Sequence, residues 1–317
     1  MSLRIGIIGA ARVATYALIA PARARRDVVI AAVAARDPQR AAAYAASHGI
    51  ARHFGDYAQM AADPQIDAIY VATPPAFHLE HARLAIRAGK PVLVEKPFTL
   101  NSAEAGILLA EAAAAGVAVV EAQHSRCHGL WPVLHAALPG IGPLLHIDAW
   151  FNAPVKTDAD EFRWQAELGG GALMDLGVYP LSWVRAVAGE PLAASAVAFR
   201  RERAADAAFR ARLALPGGVS AQVAADMAAP FAAQMIIHGR DGRLIVENPL
   251  APQRGGHGIT LVTAAGTTQL PSPAEPGSYD AQLAAFIAHV GTAAPWPLPG
   301  DDPLRSMQAI DCIRAAA

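Results

Sequence analysis

Leu3-Arg4-Ile5-Gly6-Ile7-Ile8-Gly9-Ala10-Ala11-Arg12-Val13-Ala14 stands at the start of the chain, and its reading decides the fold. Leu3–Ile8 is a short run rich in β-branched residues, ended by Gly9, and a helix-compatible segment begins at about Arg12. A strand that turns through small residues into a helix aims backbone amides and a positive dipole end at an anion. On the dinucleotide fingerprint, Gly9 is the tight-turn glycine, with Ala11 and Ala14 at the second and third glycine positions. Gly9, Ala11, Arg12 and Val13 are therefore the loop residues expected to face a cofactor's phosphates. A small-residue turn without a ligand is the competing reading of this loop taken alone. The same stretch imitates a signal peptide, with Ala20-Pro21-Ala22 as a small-residue cleavage site. Gly6, Gly9 and Arg12 interrupt its apolar run, however, and only Arg4 supplies positive charge in front.

Outward from this loop, Val28–Ala35 reads as a second buried strand and Asp37–Ser47 as an alanine-rich helix opened by Asp37-Pro38. Ile66–Ala72 is a third strand ended by Thr73-Pro74-Pro75, and His78–Ala88 a helix stopped by Gly89. Pro91–Val94, Ser102–Ala115 and Val117–Glu121 continue as strand, helix and strand. That alternation predicts a parallel, doubly wound α/β sheet of nucleotide-binding type. After Gln123 the pattern changes. His146–Phe151, Ala194–Arg200, Phe209–Leu215, Ser220–Ala225, Met235–Gly239 and Leu244–Glu247 read as strands, several joined by hairpin chemistry such as Gly239-Arg240-Asp241-Gly242. One helix, Met174–Ala188, interrupts them, and a last one spans Pro303–Ala316. The expected division is a nucleotide-binding domain over 1–122 and an α+β domain over 123–317, with the final helix packing back on the first.

The 317 residues are 54% hydrophobic and 17% charged, enough apolar material for about two domains. With 26 Lys+Arg against 27 Asp+Glu the net charge is -1, which excludes the basic footprint of a nucleic-acid binder. Two cysteines, Cys127 and Cys312, are too few for a disulfide framework and read as free thiols in a reducing compartment. No uninterrupted apolar stretch reaches membrane-span length, so a cytoplasmic location off the membrane is expected. The positive charge is lopsided: only Lys90, Lys96 and Lys156 are lysines. Chemistry that needs a titratable amine has few places to go, because arginine stays protonated.

At the end of the second strand stands Ala34-Ala35-Arg36-Asp37. A site for NAD usually carries a carboxylate there to hold the ribose hydroxyls, whereas Arg36 is suited to pair with the 2′-phosphate of NADP. NADP is therefore favoured, with NAD left open. Asp37 has two readings, ribose ligand or helix N-cap.

Glu95-Lys96-Pro97, just after the strand in Gly89-Lys90-Pro91-Val92-Leu93-Val94, resembles the signature of the Gfo/Idh/MocA family (glucose–fructose oxidoreductase, inositol dehydrogenase, rhizopine catabolism). The likeness continues through Leu168-Gly169-Gly170-Gly171-Ala172-Leu173-Met174-Asp175-Leu176-Gly177-Val178-Tyr179-Pro180, the Gly239–Leu244 hairpin and the late Tyr279–Phe286 helix, and so spans essentially the whole chain. The resemblance implies an N-terminal Rossmann domain and a C-terminal α+β domain with a large, mostly antiparallel open sheet used for homodimerisation. It implies hydride transfer between a nicotinamide and a carbinol carbon of a sugar, polyol or cyclic diol. Ala11 departs from the usual second glycine. Tyr179 departs from the inositol branch, which carries histidine, and is similar to the dihydrodiol and xylose dehydrogenase branch.

Oxidation of an alcohol needs a proton acceptor and the reverse reaction a donor, roles open to Tyr179. Its ordinary pKa near 10 makes it a poor base at neutral pH unless a cation favours the phenolate. Lys96, at a strand's carboxyl end, is placed to supply that cation and to stabilise developing negative charge. Asp175, four residues before Tyr179, is expected on the same helix face, to bind a substrate hydroxyl or orient the catalytic pair. Glu95 is expected to hold Lys96 or the loop, Thr73 to shape the cofactor rim and His78 to touch the nicotinamide end. Arg163 and Trp164 are candidates for the sugar pocket, by hydrogen bonds and ring packing, and Arg126 matches a family position near the site. The Gly169–Gly171 run is expected to let the chain approach the cofactor. His78 and His81 have helical spacing without a third ligand, so no metal is expected. His124 and His128 flank Cys127 without an orienting partner for a nucleophile. Two other activities stay open: a silent nicotinamide sensor, and a glycosidase that uses a tightly bound nicotinamide transiently.

Overall fold

In the computed structural model, residues 2–158, 161–254 and 258–317 are described. Six strands form the first sheet: β1 (Leu3–Ile8), β2 (Val28–Ala34), β3 (Arg52–Phe54), β4 (Ala68–Val71), β5 (Val92–Glu95) and β6 (Val119–Ala122). All pair in parallel, in the order β3-β2-β1-β4-β5-β6. Helices cover both faces of such a sheet, so its central strands are mostly apolar; every residue of β4 and β5 is buried, the Glu95 carboxylate included. The order reverses between β1 and β4, the switch point where doubly wound sheets bind ligands beyond their carboxyl ends. Gly9, Thr73 and Lys96 all follow strands at that end. The core gathers Ile5, Ile7, Val33, Tyr70 and Leu93 with Leu283 and Phe286 from a helix far along the chain.

The Rossmann expectation holds, with local differences. An edge strand, Arg52–Phe54, and a helix, Tyr57–Ala62, lie between the second and third expected strands. Three residues, none of them buried, carry no apolar pattern from which to read a strand. The segment after the first loop is α-helical at Arg12–Ala14, then a π-turn over Thr15–Ile19, then α-helical again at Ala20–Arg23.

The second sheet contains β7 (Leu144–Asn152), β8 (Ala193–Glu202), β9 (Ala205–Ala214), β10 (Ser220–Asp226), β11 (Ala232–Gly239), β12 (Gly242–Glu247), β13 (Gly258–Thr263) and β14 (Gly266–Leu270). Their order is β14-β13-β12-β11-β7-β10-β9-β8, antiparallel except for β7 with β10. Alternate residues of β9 and β10 are buried, the signature of a sheet with one covered face. β13 and β14 escape the sequence reading because β14 is largely exposed and begins Gly266-Thr267-Thr268-Gln269. The helix Leu130–Ala137 likewise went unassigned from sequence.

The chain divides into two compact units, 1–123 with 279–304, and 124–278 with 305–317. The single boundary expected after residue 122 is therefore too simple. Leu283 and Phe286 are buried in the first unit's core, so the helix that rejoins it is Ser278–Thr292. The last helix, Asp302–Ala315, falls mostly in the second unit. Among the described residues no helix is long and apolar enough to cross a membrane.

Candidate active site

In the first unit the β1 loop is built for close approach. Gly9 has φ +103°, and a Cβ there would meet the Ala72 carbonyl group at 3.1 Å and Thr73 Cγ2 at 3.0 Å. Its N–H donates to Ala34 O at 2.9 Å, and the Ala11 N–H to Gly9 O at 2.8 Å. Ala11 is the N-cap of the following helix and its side chain caps nothing, while the Ala14 N–H donates to Ala11 O at 3.2 Å; the helix start thus carries no side-chain cap where an anion would sit. Arg40 Nη2 donates to Ala10 O at 3.1 Å and Tyr44 Oη to Ala11 O at 3.0 Å. These two braces were missed from sequence; their spacing of four on the Pro38–His48 helix is the signal that they share a face. Arg36 is exposed at the end of β2, its guanidinium 5.8 Å from the Phe77 ring centre. Asp37 is the helix N-cap of its two readings, accepting from the Gln39 N–H at 2.9 Å. An uncapped helix start, a glycine turn and an exposed arginine together fit a dinucleotide that carries phosphate at its ribose.

Lys96 follows β5 in a tightly tied loop. Glu95, buried, accepts from the Tyr70 hydroxyl and from the Lys96 N–H at 3.2 Å. Burial, then the Glu95 carboxylate, push the Tyr70 phenol well above its ordinary value, so it remains a donor. His78 is fully buried and not where the nicotinamide contact was expected. Its Nε2 lies 2.7 Å from Thr73 O, and its Nδ1 lies 3.0 Å from Pro97 O and 3.3 Å from Phe98 O. It clasps the loop after β4 to the loop after β5. Burial takes its pKa down to about 4, although the carbonyls pull the other way. His81 also falls to about 4, through burial and then Arg36, with Nδ1 2.9 Å from Thr73 Oγ1. Thr73 thus uses both its hydroxyl and its carbonyl on histidines. Among the described residues no group of three His, Cys, Asp or Glu is placed to hold a metal.

The second unit holds Tyr179, buried on the helix Val178–Ala188. Tyr179 Oη lies 3.2 Å from His124 Nε2, and His124 Nδ1 lies 2.9 Å from Ser278 Oγ. Phe151 meets the Tyr179 ring edge-on at 5.6 Å and Trp183 lies at 6.4 Å. His124 was not singled out for this role, and no spacing could reveal it: its partners stand 55 and 154 residues away. Asp175 lies instead in a π-turn, Leu173–Gly177, whose wider winding removes the expected i,i+4 alignment with Tyr179. Its Oδ2 accepts from Arg163 Nε at 2.8 Å, and Arg163 Nη1 donates to Glu161 Oε1 at 2.7 Å.

Arg163 is bound to two carboxylates. Trp164 is 4% exposed, its indole N–H donates to Lys156 O at 2.7 Å and Arg203 lies 5.6 Å from its ring centre. Arg126 donates from Nη1 to Ser182 O at 2.8 Å and lies 4.7 Å over Trp131. The glycine run serves internal packing, since a Cβ on Gly171 would strike the Asp206 carboxylate, which accepts the Leu173 N–H at 2.8 Å. Burial pushes the Cys127 thiol up to about 12, so it stays protonated and is no nucleophile at neutral pH.

Residues 3–123 match the oxidoreductase family with NAD-binding Rossmann fold, Gfo/Idh/MocA, and residues 140–245 match the Gfo/Idh/MocA C-terminal domain. The chain is 35% identical to dTDP-3,4-didehydro-2,6-dideoxy-alpha-D-glucose 3-reductase of Streptomyces antibioticus, over 79% of this chain and 77% of that one. The chain belongs to the Gfo/Idh/MocA family. This Gfo/Idh/MocA oxidoreductase is also 30% identical to trans-1,2-dihydrobenzene-1,2-diol dehydrogenase of Sus scrofa, over 87% of its own length and 82% of the relative's. Its fold is similar to the crystal structure of a 3-ketoreductase from Actinomadura kijaniata in complex with NADP and TDP-benzene. There the TM-score is 0.90 at 28% identity, covering 100% of this chain and 98% of that one.

Proposed function

We propose that this Gfo/Idh/MocA oxidoreductase is an NADP-dependent dehydrogenase or reductase acting on a carbinol carbon of a sugar, polyol or cyclic diol. The observation that carries the reading is Lys96 at the carboxyl end of β5, its backbone held by the buried Glu95. A bound nicotinamide supplies the hydride acceptor or donor. Lys96 stabilises negative charge on the substrate oxygen, and Tyr179 takes or returns its proton. Asp175 orients this chemistry through Arg163 rather than by standing alone in a pocket. The Arg12 and Val13 backbone at the helix start, on the turn that Gly9 and Ala11 shape, holds the pyrophosphate, Thr73 shapes the rim, and Arg36 selects the 2′-phosphate. Relatives that reduce a dTDP-deoxysugar or oxidise a dihydrodiol support the substrate class, and the NADP-bound structural neighbour supports the cofactor. We place the protein in the cytoplasm as a homodimer formed through the second sheet, which also carries the substrate-binding domain.

The test is a panel of aldoses, cyclic diols and nucleotide-linked ketosugars, followed at the absorbance band of reduced nicotinamide. Turnover of at least one member with NADP(H) is expected. NADPH binding by calorimetry with no turnover across the panel would overturn the reading in favour of a sensor. Hydrolysis of aryl glycosides without net change in the cofactor would overturn it in favour of a glycosidase.

A further inference from the structure

We propose that His124 is the proton-relay partner of Tyr179, a positioning residue that makes the phenol an effective base at neutral pH. This rests on the assignment of Tyr179 as the group that exchanges a proton with substrate. A buried phenol alone serves poorly, because its ordinary pKa lies near 10 and burial disfavours the phenolate. The structure gives that phenol an imidazole. His124 is 3% exposed at the start of the turn His124–Cys127, with Nε2 3.2 Å from Tyr179 Oη.

The relay uses the tautomer with its proton on Nδ1, facing Ser278. Nδ1 lies 2.9 Å from Ser278 Oγ, and that oxygen also accepts from Gln253 Nε2 at 3.2 Å. With Nδ1–H donating to Ser278, the Nε2 lone pair is left to accept the Tyr179 hydroxyl. Both bonds survive protonation: the imidazolium donates from Nδ1 to Ser278 and from Nε2 to the Tyr179 oxygen. No heavy atom has to move between the two states. Ser278 is fully buried, so the arrangement does not depend on solvent.

In the oxidising direction the carbinol C–H pair of electrons leaves as hydride to the nicotinamide. The substrate hydroxyl proton passes to Tyr179 Oη as Tyr179's own proton passes to His124 Nε2. Alcohol and oxidised cofactor become carbonyl, reduced cofactor and one proton on the imidazole, which solvent later removes. Reduction runs the same transfers backwards. Among the groups packed against the pair are the Phe151 and Trp183 rings beside Tyr179, Ser278 and Gln253 beyond His124, and on its own segment Arg126, which is turned to Ser182 and Trp131. Cys127, a neighbour in the chain, stays a neutral thiol.

The experiment compares pH profiles of kcat/KM for alcohol oxidation in the wild type, His124→Gln and Ser278→Ala. Glutamine keeps a hydrogen bond for Tyr179 but does not titrate. In the wild type the acid limb is expected in the ordinary imidazole range. In His124→Gln it is expected to move up by about two pH units or more, with turnover at neutral pH falling roughly 100-fold and recovering towards the phenol range. Ser278→Ala removes the acceptor that favours the imidazolium, so its limb is expected to move the other way, down by about half a unit to one unit. NADPH affinity, read from cofactor fluorescence, is expected to stay unchanged in both variants. A wild-type limb in His124→Gln, or shifts of the same sign in both variants, would overturn the relay. Should His124→Gln lose cofactor binding through misfolding, the sign of the Ser278→Ala shift decides alone. A wild type without any turnover refutes the proposed function instead, and the two failures are told apart.

Discussion

Tyr70 and Glu95 show how much of the candidate site is decided one side chain at a time. Their hydrogen bond is buried, and the carboxylate it serves also receives the Lys96 N–H. Tyr70→Phe leaves that carboxylate oxygen without its phenol donor, a loss expected to lower the unfolding free energy by about 1–3 kcal/mol in urea titration. An unchanged urea midpoint would show that the bond contributes nothing. Asp175→Asn removes one of the carboxylates that Arg163 binds and is expected to reduce turnover while sparing NADPH affinity. Equal losses in turnover and cofactor affinity would instead make Asp175 a general structural support. Identity was the legible part at this scale: Lys96, Glu95, Asp175 and Tyr179 stand out by residue type and motif. Facing was not. Trp164, Arg163 and His78 read as ligand contacts, and folding also gives each a protein partner: the Lys156 carbonyl, the Asp175 and Glu161 carboxylates, and the Thr73 and Pro97 carbonyls. His124 was hidden for the same reason, its function depending on residues remote in the chain.

Elements were legible wherever burial imposed a period. β1, β4 and β5 are largely apolar runs and β9 alternates, so each was visible in sequence. Arg52–Phe54 and Gly266–Leu270 are short or exposed edge strands, fixed by pairing with a neighbour rather than by their own pattern. The π-turn Leu173–Gly177 follows from no sequence period either. The helix His78–Arg87 carries a pH consequence. His81 titrates at about 4 when folded against about 6.5 when unfolded. Its folded pKa is depressed, so the stability is present above about 6.5 and is lost as pH falls towards 4. Subtracting the unfolding free energies of His81→Gln from those of the wild type across that window is expected to reveal this slope. Parallel curves would show that His81 is not held neutral.

For the whole molecule, the alternation before Gln123 and the hairpin chemistry after it were enough to foresee two sheets of different kinds. The return of Ser278–Thr292 to the first unit was not foreseen, because core membership is a property of contacts and not of chain order. Phe286→Ala opens a cavity in that core and is expected to cost about 3–5 kcal/mol, with weaker NADPH binding. Unaltered stability would remove that helix from the first unit's core. Arg36→Ala is expected to raise KM for NADP while leaving KM for NAD unchanged, whereas unchanged KM for NADP would remove the arginine from cofactor selection. The central claim is that Lys96 and Tyr179 carry proton and charge management for hydride transfer. Its most direct measurement is turnover of the best panel substrate by wild type, Lys96→Ala and Tyr179→Phe at saturating NADP(H), with NADPH affinity measured alongside. Loss of turnover in both variants with intact cofactor affinity is the expected result; near-native turnover in both would contradict the account.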